Sequence, residues 1–216
     1  MTFSGSATSP RQFPRDGLPE VAFLGRSNVG KSALLNALAG VRGLARVSSD
    51  PGRTRLVNFF RVSGAEKPGG TGHGDLYLVD LPGYGYAKAS REVREGFERL
   101  AVSYLAGRAQ LRLCVLILDA RHEPTDRDET LRGWLEHHRL PFVVAANKTD
   151  ALGRGEVGRR VDAIARGLGR GARAVLPVSA EKGDGVEALW NAIRGAAFAP
   201  PGPGESGPET RGHDGS

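Results

Sequence analysis

The chain has 216 residues and a formal charge of +6, and five of its 30 basic residues are Lys, leaving 25 Arg. That length suits one domain with a full core, and the Arg surplus fits either a solvated surface or a partner made of RNA or ribonucleoprotein. One cysteine, Cys114, excludes an intramolecular disulfide, the histidines (73, 122, 137, 138, 213) lack metal-site spacing, and the apolar run at 114–118 is too short for a bilayer core of about 30 Å. No membrane association is expected, and the reading is of a cytoplasmic protein.

Residues 1–17 and 199–216 are rich in Ser, Gly and Pro without apolar periodicity. Both are expected to be flexible ends around a domain spanning 18–198. Glu20-Val-Ala-Phe-Leu-Gly25 reads as an apolar strand running into Gly25-Arg26-Ser27-Asn28-Val29-Gly30-Lys31-Ser32, and 31–39 reads as the helix that follows. Strand, loop and helix are the context a phosphate-binding loop needs: glycines let backbone N–H groups converge on phosphates, Lys31 supplies charge to the β and γ groups, and Ser32 offers a hydroxyl to Mg²⁺. Pro51-Gly52-Arg53-Thr54 lies in a loop, with Thr54 the candidate for a second hydroxyl on the metal.

Strands are expected at 57–63 and 76–81, joined as an antiparallel hairpin through a mobile loop at 64–74, because that spacer has no helical pattern and several glycines. Asp80-Leu81-Pro82-Gly83 follows. Asp80 can hold Mg²⁺ through a water, and the Gly83 N–H can sense a γ-phosphate, so this loop and that of Thr54 would order and release with the phosphate. The residue after Gly83 is Tyr84, which has no amide to orient a water as a Gln there would. Slow intrinsic hydrolysis follows, and Asn28 becomes the candidate for holding a K⁺ ion that supplies the missing positive charge. Lys31, Thr54, Gly83 and Asn28 are thus the candidate catalytic residues.

Val93, Phe97, Leu100, Ala101, Tyr104 and Leu105 line one helical face. A strand at 111–119 buries Cys114, and Thr125 to Asp128 has the shape of a capping box ahead of Leu131, Trp134 and Leu135. The strand at 142–147 ends on Asn147-Lys148-Thr149-Asp150. Asp150 can accept from N1–H and the N2 amine of guanine, a pair adenine does not offer; Asn147 can brace the base and neighbouring loops, and the Lys148 stem can lie over the base. After a strand at 174–178, Ser179-Ala180 falls where a backbone N–H would meet guanine O6, and Asp184 can cap a last helix bearing Val186, Leu189, Trp190 and Ile193. Alternating apolar strands and amphipathic helices give an α/β fold: a mostly parallel six-stranded sheet with one antiparallel edge strand and helices on both faces.

The segments 18–32, 43–60 and 80–88, the last reading Asp80-Leu-Pro-Gly-Tyr-Gly-Tyr-Ala-Lys88, closely resemble the EngB family of bacterial GTPases over about 18–197. The resemblance implies a single, monomeric Ras-like P-loop GTPase domain that binds GTP or GDP with Mg²⁺. It also implies a role in assembling the large ribosomal subunit, through rRNA or a ribosomal protein of its precursor and not through DNA, and a requirement for cell division and septation. Carried over, nucleotide contacts fall on Gly25 to Ser32 of the first loop, on Gly52, Arg53, Thr54, Arg55 and Leu56, on Asp80, Leu81, Pro82 and Gly83, on Asn147, Lys148, Thr149 and Asp150, and on Val178, Ser179 and Ala180. Mg²⁺ falls on Ser32 and Thr54. Two positions depart from the family pattern, Asn147 where Thr is frequent and Arg55 where Gln is common. The alternatives are a GTPase acting directly on division machinery, and a P-loop ATPase or kinase, against which Asn147 to Asp150 argue.

Overall fold

Six consecutive buried residues make up Glu20–Gly25 (β2), and a strand apolar on both faces needs cover above and below. The structure, a computed structural model, describes residues 1–41, 43–45, 56–83, 91–153 (backbone alone for 91–98), 155–168 and 174–200. In chain order its elements are β1 (Thr2–Ala7), β2, α1 (Lys31–Ala39), β3 (Val57–Glu66), β4 (His73–Asp80), α2 (Arg91–Gly107), β5 (Leu111–Asp119), α3 (Asp126–His137), β6 (Phe142–Asn147), α4 (Glu156–Leu168), β7 (Val175–Pro177) and α5 (Val186–Ala197). The strands form one sheet in the order β1-β3-β4-β2-β5-β6-β7.

Alternate residues of each central strand feed two cores. Ala22 and Leu24 of β2, Cys114, Leu116 and Leu118 of β5, and Phe142 and Val144 of β6 pack beneath Tyr104 of α2, Leu135 of α3, and Ile164 and Leu168 of α4. Val21 and Phe23, Val115 and Ile117, and Val143 and Ala145 meet Leu34, Leu35 and Leu38 of α1 and Leu189 and Ile193 of α5. Burial of both faces is what the unbroken apolar runs require, and it leaves the strand ends and their loops as the place for chemistry.

The sheet has seven strands rather than six. β3 runs antiparallel to β4, as the glycine-rich spacer predicts, but it is not the edge, because β1 pairs antiparallel with its other side from Thr2↔Arg61 to Ala7↔Val57. Residues 1–17, expected to be flexible, therefore begin with a sheet strand. Thr2–Ala7 lacks an apolar pattern because an outer strand with one partner and a largely exposed surface needs few apolar residues. Its anchors are Phe3 edge-on to Phe60 at 5.7 Å, buried Ala7, and beyond it buried Phe13, which contacts the rings of Phe59 and Tyr104.

The hairpin is longer and its loop shorter than expected. β3 continues to Glu66 through a register break between Val62 and Ala65, where Gly64 takes φ 66°. Gly74 then lies against Phe198: a Cβ there would come within 2.8 Å of that ring. Helix starts split the two capping expectations. The Thr125 N–H and hydroxyl both donate to Asp128 Oδ2, at 2.8 and 2.7 Å, as the capping box predicts. Asp184, however, does not cap α5. The cap is Gly185 at φ 72°, where any Cβ would sit 2.0 Å from the Pro177 carbonyl oxygen, so only glycine lets the chain pass this close. Cys114 is buried as expected, and burial pushes its thiol up to about 12. Within the described residues no helix is long and apolar enough to cross a membrane.

Candidate nucleotide site

The loops after β2, β4 and β6 meet because these strands end side by side. Phe23 lies opposite Asp80, and β6 reaches β2 through β5, which pairs with both. In the first loop, Asn28 (φ 68°) and Gly30 (φ 93°) adopt left-handed conformations, and Gly30 hands the chain to α1. A Cβ on Gly30 would lie 2.4 Å from the Asn147 side-chain nitrogen, so the glycine serves both the turn and the approach of the β6 loop. The unsatisfied N–H groups and dipole at the start of α1 favour an anion there.

Asn147, almost wholly buried, joins three loops. Its Nδ2 donates to the Val29 carbonyl at 2.9 Å, and its Oδ1 accepts from the Ala180 N–H at 3.1 Å. These two bonds tie the neighbouring loops to the end of β6. Thr149 ties the same turn to β7's exit, its hydroxyl donating to the Val178 carbonyl at 3.0 Å. Asp150 Oδ1 accepts from the Ser179 hydroxyl at 2.6 Å, and the Ser179 oxygen in turn accepts from the Lys182 N–H at 3.0 Å. A carboxylate held from one side by a hydroxyl presents its remaining lone pairs in a fixed direction.

Lys31 and Asp80, both buried, are ion-paired across the first and second loops. Leu81, Pro82 and Gly83 are buried beside them, and the Leu81 N–H donates to the Phe23 carbonyl at 3.2 Å. The Ser27 hydroxyl is buried and has no hydrogen-bond partner among the described residues, so the phosphate loop holds an unused donor. Ser32 lies in the first turn of α1 and Leu56 directly precedes β3. Gly52, Arg53, Thr54, Arg55 and Tyr84 lie outside the described residues. An oxygen donor set of the Ser32 hydroxyl and the Asp80 carboxylate suits a hard cation such as Mg²⁺.

One acidic residue absent from the sequence reading belongs to this region. Asp119, at the end of β5, accepts from Lys148 Nζ at 2.9 Å and from Arg121 Nε and Nη2 at 2.8 and 2.7 Å. Burial acts to raise its carboxyl, but the hydrogen bonds from Arg121 and Lys148 outweigh it and hold the group well below the usual carboxylate range. Its signal in the sequence was its place, last in an apolar strand, like Asp80 and Asn147.

A phosphate-type loop leading into a helix, a strand-end carboxylate paired with the loop's lysine, and an Asn-Lys-Thr-Asp turn locked onto that loop define a P-loop GTPase. Residues 20–148 match the family model described as 50S ribosome-binding GTPase. The chain is 44% identical to the probable GTP-binding protein EngB of Pelobacter propionicus, over 88% of this chain and 90% of that one. It is also 44% identical to that of Symbiobacterium thermophilum, over 88% and 92%. A crystal structure of a probable GTP-binding protein EngB superposes with a TM-score of 0.62 at 26% identity, covering 82% of this chain and 98% of that one. Era bound to MgGDPNP and nucleotides 1506–1542 of 16S ribosomal RNA superposes with a TM-score of 0.67 at 25% identity, covering 83% and 56%. The chain belongs to the EngB family of GTP-binding proteins, and it is a GTPase.

Proposed function

We propose that this GTPase is a Mg²⁺-dependent switch acting in the cytoplasm on precursors of the large ribosomal subunit, through rRNA or a ribosomal protein, and that its loss impairs division and septation through that step. The matching family's description as 50S ribosome-binding supports the large subunit as target, while the 16S rRNA held by Era and the chain's charge of +6 support an RNA partner in general.

The observation that carries the site assignment is the Asn147 side chain, which places the phosphate loop, the Lys148 to Asp150 turn and the Ser179-Ala180 turn around one space. In that space the Asp150 carboxylate accepts from the N1–H and N2 amine of guanine, and the Ala180 side of the turn faces O6. Lys31 transfers its hydrogen bonding from Asp80 to phosphate oxygens, while the Ser27 hydroxyl and the amides from Asn28 to Ser32 complete the phosphate cradle. Ser32, Thr54 and Asp80 would hold Mg²⁺, which neutralises charge on the β and γ oxygens. The Gly83 N–H meets the γ-phosphate, and Gly52 to Leu56 supply further nucleotide contacts. With Tyr84 in place of an amide, water is poorly oriented and hydrolysis is slow unaided.

Two measurements test this. In a displacement assay with labelled GDP, GTP is expected to compete and ATP to fail; equal competition by ATP removes the guanine assignment. On depletion of the protein in cells, immature large subunits are expected in ribosome profiles before any division defect. Normal large subunits at that time would defeat the assembly role and favour a direct role in division.

A further inference from the structure

Asp119 belongs to neither the phosphate motif nor the base motif, yet it touches the side chain that links them. It closes β5 level with Asn147 of β6, and the next residue, Ala120, donates its N–H to the Asn147 carbonyl at 2.8 Å. The Lys148 ammonium is held between two acceptors: Asp119 Oδ2 at 2.9 Å and the Asn28 carbonyl of the phosphate loop at 2.6 Å. Lys148 also takes φ 68°, a conformation that a residue with a Cβ keeps only when its surroundings impose it. A four-carbon stem with a partly exposed ammonium has many rotamers, and two fixed acceptors reduce them to one that lies between the loops. Arg121 spans both carboxylate oxygens, its Nε on Oδ1 and its Nη2 on the Oδ2 that also takes Lys148.

We propose that Asp119 is a positioning residue for guanine-nucleotide binding: its carboxylate holds the Lys148 ammonium against the Asn28 carbonyl. The Lys148 stem is thereby laid out for the base, and the base loop is clipped to the phosphate loop. The inference rests on the placement of the base against Lys148 argued above. Asp119 contacts no nucleotide atom itself; it acts through Lys148. Removing the negative charge frees the ammonium, loosens the clip and raises the rate at which nucleotide escapes.

The test is a double-mutant cycle on the full chain with fluorescently labelled GDP. Asp119→Asn is expected to weaken GDP binding about tenfold, chiefly through faster dissociation, to raise KM for GTP, and to leave kcat at saturating GTP within about twofold. In a Lys148→Ala background the same change should cost less than twofold, because the group it positions is gone. Arg121→Ala, which leaves the Lys148 contact, should stay within about threefold of wild type. Asp119→Ala is carried through the cycle alongside Asp119→Asn so that a folding failure of one leaves the other. Wild-type affinity in Asp119→Asn and Asp119→Ala overturns the proposal, as does an equal loss with and without Lys148, or a loss in Arg121→Ala matching that of Asp119→Asn. A Lys148→Ala protein that binds GDP as wild type does would instead refute the base placement on which the inference depends.

Discussion

Single side chains carry much of what joins the loops of this GTPase, and Asn147 is the clearest case. Its two hydrogen bonds satisfy a carbonyl and an N–H from segments 118 and 33 residues away in the chain. Asn147→Ala leaves both groups without their partner, so about 2–4 kcal/mol of stability should be lost in urea melts, with GDP binding weakened at least tenfold. Cys114 makes a different prediction, in pH. Its thiol ionises near 9 when exposed, but burial raises it to about 12 in the folded chain. A raised value means the stabilisation is complete below pH 9 and is lost as pH climbs toward 12, because the unfolded chain sheds the proton first. Melting temperatures between pH 8 and 11 should fall more steeply for wild type than for Cys114→Ala, by up to about 1.4 kcal/mol per pH unit from this group. Equal slopes would show the thiol to be uninvolved.

Between elements, the end of the molecule away from the site is held by a buried acid. Glu20, wholly buried at the start of β2, accepts from the Tyr104 hydroxyl at 2.6 Å and from Arg108 Nε at 2.9 Å; Arg108 also pairs with its other oxygen and donates to the Pro14 carbonyl. α2, the N-terminal segment and the sheet are thus fastened at one point. Arg108→Met strands the carboxylate, and a loss of roughly 3–5 kcal/mol is expected in chemical denaturation. Adding Glu20→Gln should recover part of it; no recovery would mean that Arg108 acts through packing on Phe13. These links also explain what the sequence withheld. The phosphate loop and the Asn147 to Asp150 turn are contiguous motifs, so their chemistry was legible in order. The partner of Thr2–Ala7 lies some fifty residues on, and its backbone pairing leaves no apolar signature. Asp119 was hidden likewise, because its meaning depends on a lysine 29 residues away. At α5, Asp184 is the cap the sequence suggests, and the close Pro177 carbonyl that makes Gly185 the cap instead is visible only in the fold.

Catalysis engages the whole molecule. If hydrolysis lacks a water-orienting amide at Tyr84, as proposed above, single-turnover hydrolysis by the full chain should be faster in K⁺ than in Na⁺, and Asn28→Ala should abolish the difference while retaining GDP binding. Equal rates in the two salts would remove the cation from the mechanism. The same experiment separates two uses of Asn28, since the carbonyl that receives Lys148 survives the substitution and the side chain does not.

The sheet order also bears on how the molecule is made. Thr2–Ala7 are synthesised before the residues they pair with, Val57 to Arg61. β1 has one partner strand and the other six pair among themselves, so β1 can join last, as a seam sewn along an edge already formed. A bulky tag fused ahead of Met1 would sit beside that seam. It would delay closure of the β3 edge during synthesis, whereas one placed after residue 200 would leave the seam alone.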